Sequence, residues 1–556
     1  MIGSHTTGGC LSNEPKRCTL DSWLIFAVGM VVFTLGPSPE FIGFQTRFAL
    51  FAQEMFRNGP TWFPTTYGRP YPDYPGTSTF LVYLLSLPFG TVTGWSAIGP
   101  TALTSALILV FTYRIGAIRS RRWGLLAVLF SVCTVEFLAE SRSIALDQYT
   151  SLAATVCFYL AYSADTFGRR RRLWLVPLLW IMGFSFRGPI GLVVPAAVLA
   201  SYYLWTRRPA YAMAAGMLAG ILLALCMAGL LLAAKAQGGA AFREEVVLAQ
   251  VTGRMHDRTG GYAYYLGYAY YGLAGLTSYA VSYPLAILVG VSHFKDVLRR
   301  RNEDTLLLGS LACWALIVLA GMSIPECRKA RYILPIVPGL SLMAAYLFVE
   351  ASPQALLLGI RRWLLRICSL LAPLAAVGVP VGFVVARRFE PRLQAHWLGT
   401  LAVLVLLTAA VRILWRRPMD DLRRDLALLA VGAAVVVVVT VGVAGPVSFS
   451  LEQTGPFVRK VEALQAEKPG DVVFFRVGPD GEDIKFMVNL SRPARTQFVT
   501  DLDAIANPRE THYIIAKEEV FRSLPADADR RIRVQLRGRI GHKDFVVFTL
   551  KSPQDG

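Results

Sequence analysis

The fold class turns on one stretch, Arg169–Arg208: "RRRRLWLVPLLWIMGFSFRGPIGLVVPAAVLASYYLWTRR". Two apolar runs, near 173–186 and 190–206, lie between a run of four arginines and a closing arginine pair. Arg187-Gly188-Pro189 separates them, and Gly-Pro breaks a helix. Runs this apolar suit lipid, and basic residues gather on the cytoplasmic side of a bilayer. The stretch predicts a helical hairpin with both ends in the cytoplasm and Arg187 at the outer boundary.

The same pattern runs through the chain. Of 556 residues, 54% are hydrophobic and 17% charged, with mean hydropathy +0.46, which argues against an ordinary soluble domain. Basic clusters recur at Arg119–Arg122, Lys295–Arg301, Arg361–Arg362 and Arg416–Arg424, each between two apolar runs. Putting all of them inside predicts further spans at Leu20–Leu35 and near 99–117, 123–139, 148–166, 212–234, 270–292, 304–322, 332–350, 364–386, 395–414 and 426–447. With the hairpin this makes about thirteen transmembrane helices, N-terminus cytoplasmic and C-terminus outside. One cluster, "ARRFEPR" (Ala386–Arg392), falls outside against the rule. These clusters account for the net charge of +19, so no nucleic-acid partner is predicted. The eight cysteines form no CxxC and no metal-ligand spacing. Residues 1–20 carry Glu14 and Pro15 beside Lys16 and Arg17, with no cleavage pattern, so the first apolar run is read as a retained span.

The predicted organisation is a cytoplasmic N-terminus (1–20), a transmembrane domain (21–448) and an outer α/β domain (449–556). The outer loops are 38–97, 139–148, 235–268 and 323–331, with a short turn at 186–190. Gln45–Arg57 and Phe80–Phe89 read as helices lying in the interface, the latter too short to span. In the last domain "DVVFFRVG" (471–478), "DIKFMVNL" (483–490), "THYIIAK" (511–517), "RIRVQLRG" (531–538) and "DFVVFTL" (544–550) read as strands. "DLDAIA" and "KEEVFRSL" read as short helices between them.

Charge is costly in lipid, so ionic groups gathered at the outer ends of spans are functional candidates. Glu40, just past the first span, is either a helix-flanking charge or a general base. "ESRSIALDQYT" (Glu140–Thr150) crowds Glu140, Arg142 and Asp147 into one loop. Asp147 either caps the next span or holds a substrate or metal. The fork of Arg187 suits a phosphate, unless the residue only marks topology. "SIPECRKARYILPIVP" (Ser323–Pro338) sets Glu326, Arg328, Lys329 and Arg331 outside, against the charge bias, which an anionic ligand explains. "FREEVVLAQVTGRMHDRTGGYAYY" (Phe242–Tyr265) predicts an amphipathic outer helix with Arg243, Arg254, His256 and Arg258. His256 beside Asp257 is the candidate for a metal ligand or acid–base group. Such a set suits an anionic lipid-linked donor, whose phosphate the cations hold while a carboxylate activates an acceptor.

Four of these stretches, in this order, resemble the membrane-embedded GT-C glycosyltransferases of the bacterial protein O-mannosyltransferase-like and lipid A aminoarabinose transferase-like branch. "RFALFAQEMFRNGPTWFPTTYGRPYPDYPGTSTFLVYLLS" resembles the family's first outer loop. "ESRSIALDQYT" resembles its "AR…LD" loop, "FRGPIGLVVPA" its "TKGPVGLVLPA", and "RKARYILPIVPGLSL" its "SKLPYYILPLLPALAL". The resemblance covers roughly residues 20–350. It implies a GT-C bundle with an extracytoplasmic C-terminal domain, in the bacterial inner membrane. It implies an inverting transfer of a monosaccharide from a polyprenyl (undecaprenyl) phosphate to a lipid, glycan or protein acceptor on the periplasmic side. Lipid A modification and protein mannosylation are the two precedents.

By resemblance Asp147 stands where the family has a functional Asp, Arg187 replaces a Lys, and Lys329 or Arg331 matches the Lys before "YILP". The candidate site is then Glu40 and Asp147 as catalytic groups. Arg47, Arg142, Arg187, Arg254, Lys329 and Arg331 are the donor-phosphate ligands. Asp73, Tyr71, Tyr74 and Tyr332 line the sugar or acceptor pocket. A divalent metal is left open, with His256 as its candidate ligand. The family's acidic pair falls here on Phe44 and Gln45, so either Glu40 serves in a shifted register or this branch works differently. Tyr74 stands where the aminoarabinose branch has a Lys, so aminoarabinose is not assigned. A transporter or flippase, or a non-catalytic binder of a polyprenyl-phosphate sugar, is the alternative.

Overall fold

The computed structural model describes residues 15–36, 40–252, 269–300, 302–325, 328–350, 353–390, 393, 397–416, 421–478, 481–491, 496–502, 512–524 and 532–550. It is a helical bundle with a small α/β domain at its C-terminal end. The helices are α1 (Pro15–Thr34), α2 (Thr46–Asn58), α3 (Thr77–Ser86), α4 (Gly94–Ala117), α5 (Arg121–Cys133), α6 (Val135–Ser141), α7 (Asp147–Phe167), α8 (Leu175–Arg187), α9 (Pro189–Trp205), α10 (Pro209–Val247), α11 (Tyr270–Thr277), α12 (Ser282–Ser292), α13 (Phe294–Arg299), α14 (Glu303–Ser323), α15 (Val337–Tyr346), α16 (Ala355–Phe389), α17 (Trp397–Arg416) and α18 (Asp421–Val439). A 3-10 turn, Ala330–Ile336, leads into α15.

Helical structure stands at each span read from the sequence. By length and composition, however, seven helices among the described residues can cross a membrane, or nine if each of two bent pairs is one span. The bent pairs are α5–α6, at 77°, and α11–α12, at 110°. The predicted hairpin forms from two short helices, of 13 and 17 residues, below the ~20 that a straight span needs. It turns at Gly188, whose φ of 68° favours glycine, and Pro189 opens α9 without losing a helical hydrogen bond. A Cβ at Gly191 would lie 2.0 Å from the carbonyl oxygen of Gly183, so this glycine pair lets α8 and α9 touch. The predicted 212–234 span is one helix of 39 residues, broken at Gly239.

The core of the bundle joins α1, α4, α5, α7, α9, α14 and α15 around the buried Trp123, Trp180, Trp314, Phe137 and Phe158. Trp123 donates its indole N–H to the Leu342 carbonyl at 2.7 Å, which satisfies the polar atom of a buried ring.

In the long loop after α1, α2 and α3 form at the segments read as short helices. Between them, β1 (Thr65–Thr66) and β2 (Arg69–Pro70) form a small antiparallel hairpin. The C-terminal domain follows α19 (Gly445–Leu451) with α20 (Thr454–Glu467), β3 (Asp471–Phe475), α21 (Glu482–Val488), β4 (Thr496–Val499), β5 (His512–Lys517), α22 (Glu518–Arg522), β6 (Ile532–Ile540) and β7 (Lys543–Leu550). The sheet order is β4-β3-β5-β7-β6, with β3 parallel to β4 and β5. The segment read as a strand at 483–490 is instead α21. Parallel β3 and β4 need a crossover between them, and Ile484, Met487 and Val488 supply a buried helical face for it.

This domain does not hang free. Phe457, Val472, Phe474, Phe486 and Phe545 share one buried cluster with Phe48, Leu50 and Phe51 of α2 and with Tyr74, Ile144, Tyr149 and Phe186. Polar bonds fasten the same seam. Phe41 and Asn489 exchange two hydrogen bonds of 2.9 Å. Gln53 donates to the Val488 carbonyl at 3.1 Å, and the Tyr67 hydroxyl to Asp483 at 2.7 Å.

Candidate active site

Three chain reversals bring the site together. Asp147 is the first residue of α7, Arg187 the last of α8, and Arg331 and Tyr332 lie in the 3-10 turn before α15. Arg187 is 3% exposed and donates from Nε to Asp147 Oδ1 at 2.8 Å. Its guanidinium lies over two tyrosine rings, 5.4 Å from the centre of Tyr74 and 5.3 Å from that of Tyr332. Arg331 approaches the other Asp147 oxygen at 3.7 Å and faces Tyr332. Both carboxylate oxygens therefore face cations. Asp147, at the N-terminal end of α7, thereby aims the two arginines.

A cavity of about 10 Å³, room for about one water, lies against this cluster. Glu140, Asp147, Arg187, Arg331, Tyr74 and Phe48 are among its lining residues. Glu140, near the end of α6, is the acid of this cavity that no arginine holds within 4 Å among the described residues. The sequence grouped it with Asp147 but left it out of the site. Its signal was position: a carboxylate seven residues ahead of Asp147 in the same short loop.

The other predicted residues are spread more widely. Glu40 is not in this cavity. It pairs with Arg459 at 2.9 Å and accepts the Gly455 N–H at 3.1 Å, pinning the first loop to the C-terminal domain. Arg142 donates to the carbonyls of Val32 and Leu35, each at 2.6 Å, and so caps the end of α1. Arg47 donates to the Tyr71 hydroxyl and lies 5.0 Å over its ring, while Tyr71 stacks near Tyr74. Asp73 offers its backbone carbonyl to Gln250 at 2.7 Å. Lys329 is exposed at the start of the turn that carries Arg331. Arg254 and His256 lie outside the described residues. Among the described residues no three acidic, His or Cys groups gather as metal ligands, and the Asp147 oxygens face guanidinium groups instead.

One buried acid of the same loop was not among the site candidates. Glu54, 3% exposed in α2, accepts from Thr65 Oγ1 at 2.6 Å, from the Gly68 N–H at 3.2 Å and from the Tyr67 N–H. It holds the β1–β2 hairpin, and through it the Tyr71–Tyr74 segment that roofs the cavity.

Comparisons with known proteins agree with this architecture. The family model for dolichyl-phosphate-mannose-protein mannosyltransferases matches residues 75–232, which include Glu140, Asp147 and Arg187. No curated protein matches the chain by sequence. Among solved structures, ArnT from Cupriavidus metallidurans bound to undecaprenyl phosphate aligns over 95% of this chain and 98% of its own. The TM-score is 0.67 and the identity 16%. The apo state of the same protein aligns over 96% of this chain and 98% of its own, again with a TM-score of 0.67 and 16% identity. The chain thus has the fold of the GT-C membrane glycosyltransferases, of the ArnT and protein-mannosyltransferase type, as its sequence motifs imply.

Proposed function

We propose that this chain is an inverting glycosyltransferase that moves a monosaccharide from a polyprenyl phosphate to a lipid, glycan or protein acceptor on the periplasmic face of the inner membrane. The observation that carries the reading is the buried Asp147–Arg187–Arg331 cluster beside Glu140. Two guanidiniums aimed by one carboxylate form a cradle for a phosphodiester, and they meet the charge that grows on the phosphate as it leaves. Tyr74 and Tyr332 offer ring faces to a sugar. Glu140 accepts the proton of the acceptor hydroxyl as its oxygen attacks the anomeric carbon. The bond to the phosphate oxygen breaks, and configuration inverts in one displacement. This moves the base from Glu40 to Glu140. Glu40 and Arg142 then serve the scaffold.

The fold shared with a protein bound to undecaprenyl phosphate supports the donor class, and the mannosyltransferase-family segment supports sugar transfer. The test is single-turnover transfer from a panel of radiolabelled polyprenyl-phosphate sugars to native membranes. Wild type is compared with Glu140→Gln and Glu40→Gln. Transfer that survives Glu140→Gln but not Glu40→Gln would overturn the assignment of the base. The absence of acids at Phe44 and Gln45 favours one second reading, a non-catalytic donor-binding protein. It predicts donor binding with no transfer to any acceptor.

A further inference from the structure

A second charged cluster lies at the opposite end of α5 from Glu140, and the proposed transfer does not use it. Arg122, in the first turn of α5, and Arg361 of α16 converge on one carboxylate, Asp425 of α18. Arg361 Nε donates to Asp425 at 3.1 Å, and a second nitrogen bonds the same oxygen. Arg122 Nη2 stands 3.6 Å from it, beyond hydrogen-bond reach. Both Nε and Nη2 of Arg122 are buried and find no acceptor among the described residues. An unmet guanidinium N–H out of water is costly, so the arrangement asks for an acceptor. Two cations against one anion leave a single positive charge, the complement of one phosphodiester.

Next to it along α5 and α18 runs an apolar groove of about 480 Å³ between α1, α4, α5 and α18. Leu125 and Leu426 line it, one turn from Arg122 and next to Asp425. From there it follows α18 from Leu426 to Val438, about 18 Å at the rise of an α-helix. That is close to the depth of one leaflet, half of the ~30 Å hydrocarbon core. On α1 its wall is open to the outside, with Leu24 and Val28 exposed. A charged end with spare phosphate donors and an apolar trough one leaflet deep match a lipid, not a soluble anion.

We infer that this is a binding site for one anionic glycerophospholipid of the leaflet opposite the candidate active site. Its phosphate sits on Arg122 and Arg361, and an acyl chain lies between α1 and α18. The test is native mass spectrometry of the full chain, released from nanodiscs of phosphatidylglycerol mixed equally with phosphatidylcholine. Wild type is expected to retain one phosphatidylglycerol at least tenfold in preference to phosphatidylcholine. Arg122→Gln, which leaves the Arg361–Asp425 bond in place, is expected to lose that preference. Ala430→Trp, which fills the groove without touching the arginines, is expected to lower retention of the lipid at least fivefold. Millimolar glycerol 3-phosphate is expected not to displace the lipid. Equal retention of the two lipids would overturn the inference, as would wild-type behaviour of both variants. Displacement by glycerol 3-phosphate would mark a free-anion site instead. Melting temperatures within two degrees of wild type exclude misfolding as the cause of any loss.

Discussion

Replacing Arg187 with Met separates the structural from the chemical role of the buried pair. Methionine keeps the unbranched apolar stem of the side chain and removes its charged head. Asp147 is then left with Arg331 alone, at 3.7 Å. Removing one partner of a buried ion pair costs about 3–5 kcal/mol, because the other charge is stranded. Arg331 offsets part of this. Losing the contacts with the Tyr74 and Tyr332 rings adds about 0.5–1 kcal/mol each. The net expectation for Arg187→Met is a loss of about 3–4 kcal/mol. Adding Asp147→Asn removes the stranded charge, and the double variant is expected to regain about 2 kcal/mol. Stability is read by titrating the purified chain in maltoside micelles with dodecyl sulfate, followed by tryptophan fluorescence. Donor affinity is read on the same samples with a polyprenyl-phosphate sugar. The double variant is expected to regain stability without regaining donor affinity, since the phosphate cradle is still gone. A double variant as unstable as Arg187→Met alone would refute the charge pairing. A single variant with undiminished donor affinity would refute the cradle.

Glu140→Gln keeps shape and removes the base. It is expected to slow transfer about 10²- to 10⁴-fold while donor binding stays within twofold, as a binding assay beside single-turnover transfer would show. Tyr67→Phe deletes the hydroxyl that donates to the buried Asp483. Hydrogen bonds to charged groups are worth about 1.5–3 kcal/mol, and limited proteolysis should release the C-terminal domain faster in this variant. Burial raises the Asp483 carboxyl above the ordinary range, and its bonds from Tyr67 and Gly481 only partly offset that. The folded state therefore binds the proton more tightly than the unfolded one. This contribution to stability is largest below the unfolded value near 3.9. It falls as pH rises through the raised folded value. Asp483→Asn is expected to flatten the stability of the domain as pH rises above the unfolded carboxylate value of about 3.9, and an unchanged slope would remove Asp483 as its source. Gly188→Ala forces a φ of 68° on a residue with a Cβ and sets it 2.9 Å from Gln250. It is expected to cost about 1–2 kcal/mol and to misplace Arg187, lowering donor affinity in the same binding assay.

What was legible in the sequence follows from how far each signal reaches. Helical hairpins are written in local apolarity and flanking arginines, so Arg169–Arg208 could be read directly. Asp147, Arg187 and Arg331 stood out because charges at span ends are costly and therefore few. Their convergence was legible only through the family motifs. The place of Glu40 was not legible because its partners, Gly455 and Arg459, lie more than four hundred residues away. The contacts of Arg142 were not legible because they run to backbone carbonyls, which carry no sequence signature. The helix α21 was taken for a strand because alternation over a few residues fits both periods. Its identity is decided by the parallel strands it connects, one of which, β4, is only four residues long. The span count differs because several apolar runs, among them α8, α9 and Ala330–Tyr346, form helices shorter than a span, which apolarity alone does not reveal.

The small cavity constrains how the proposed donor would enter. It has room for about one water, and a pyranose needs several times more, so the walls must part. The roof is Phe48 and Tyr74, and both belong to the cluster that extends into Phe457 and Phe486 of the C-terminal domain. Lifting the first loop away from that domain would expose this shared apolar surface and break the Phe41–Asn489, Gln53–Val488 and Tyr67–Asp483 bonds together. Moving the loop and domain as one body leaves all of these intact, so rigid-body opening costs less. A crosslink across the seam distinguishes the two. The Tyr67 and Phe498 rings lie 5.0 Å apart, and cysteines at these positions can be joined by a short bifunctional maleimide. Joined motion predicts that the crosslinked protein transfers sugar at a rate within threefold of the uncrosslinked one. A loss of transfer on crosslinking, reversed with a cleavable linker, would mean that the loop parts from the domain at every turnover.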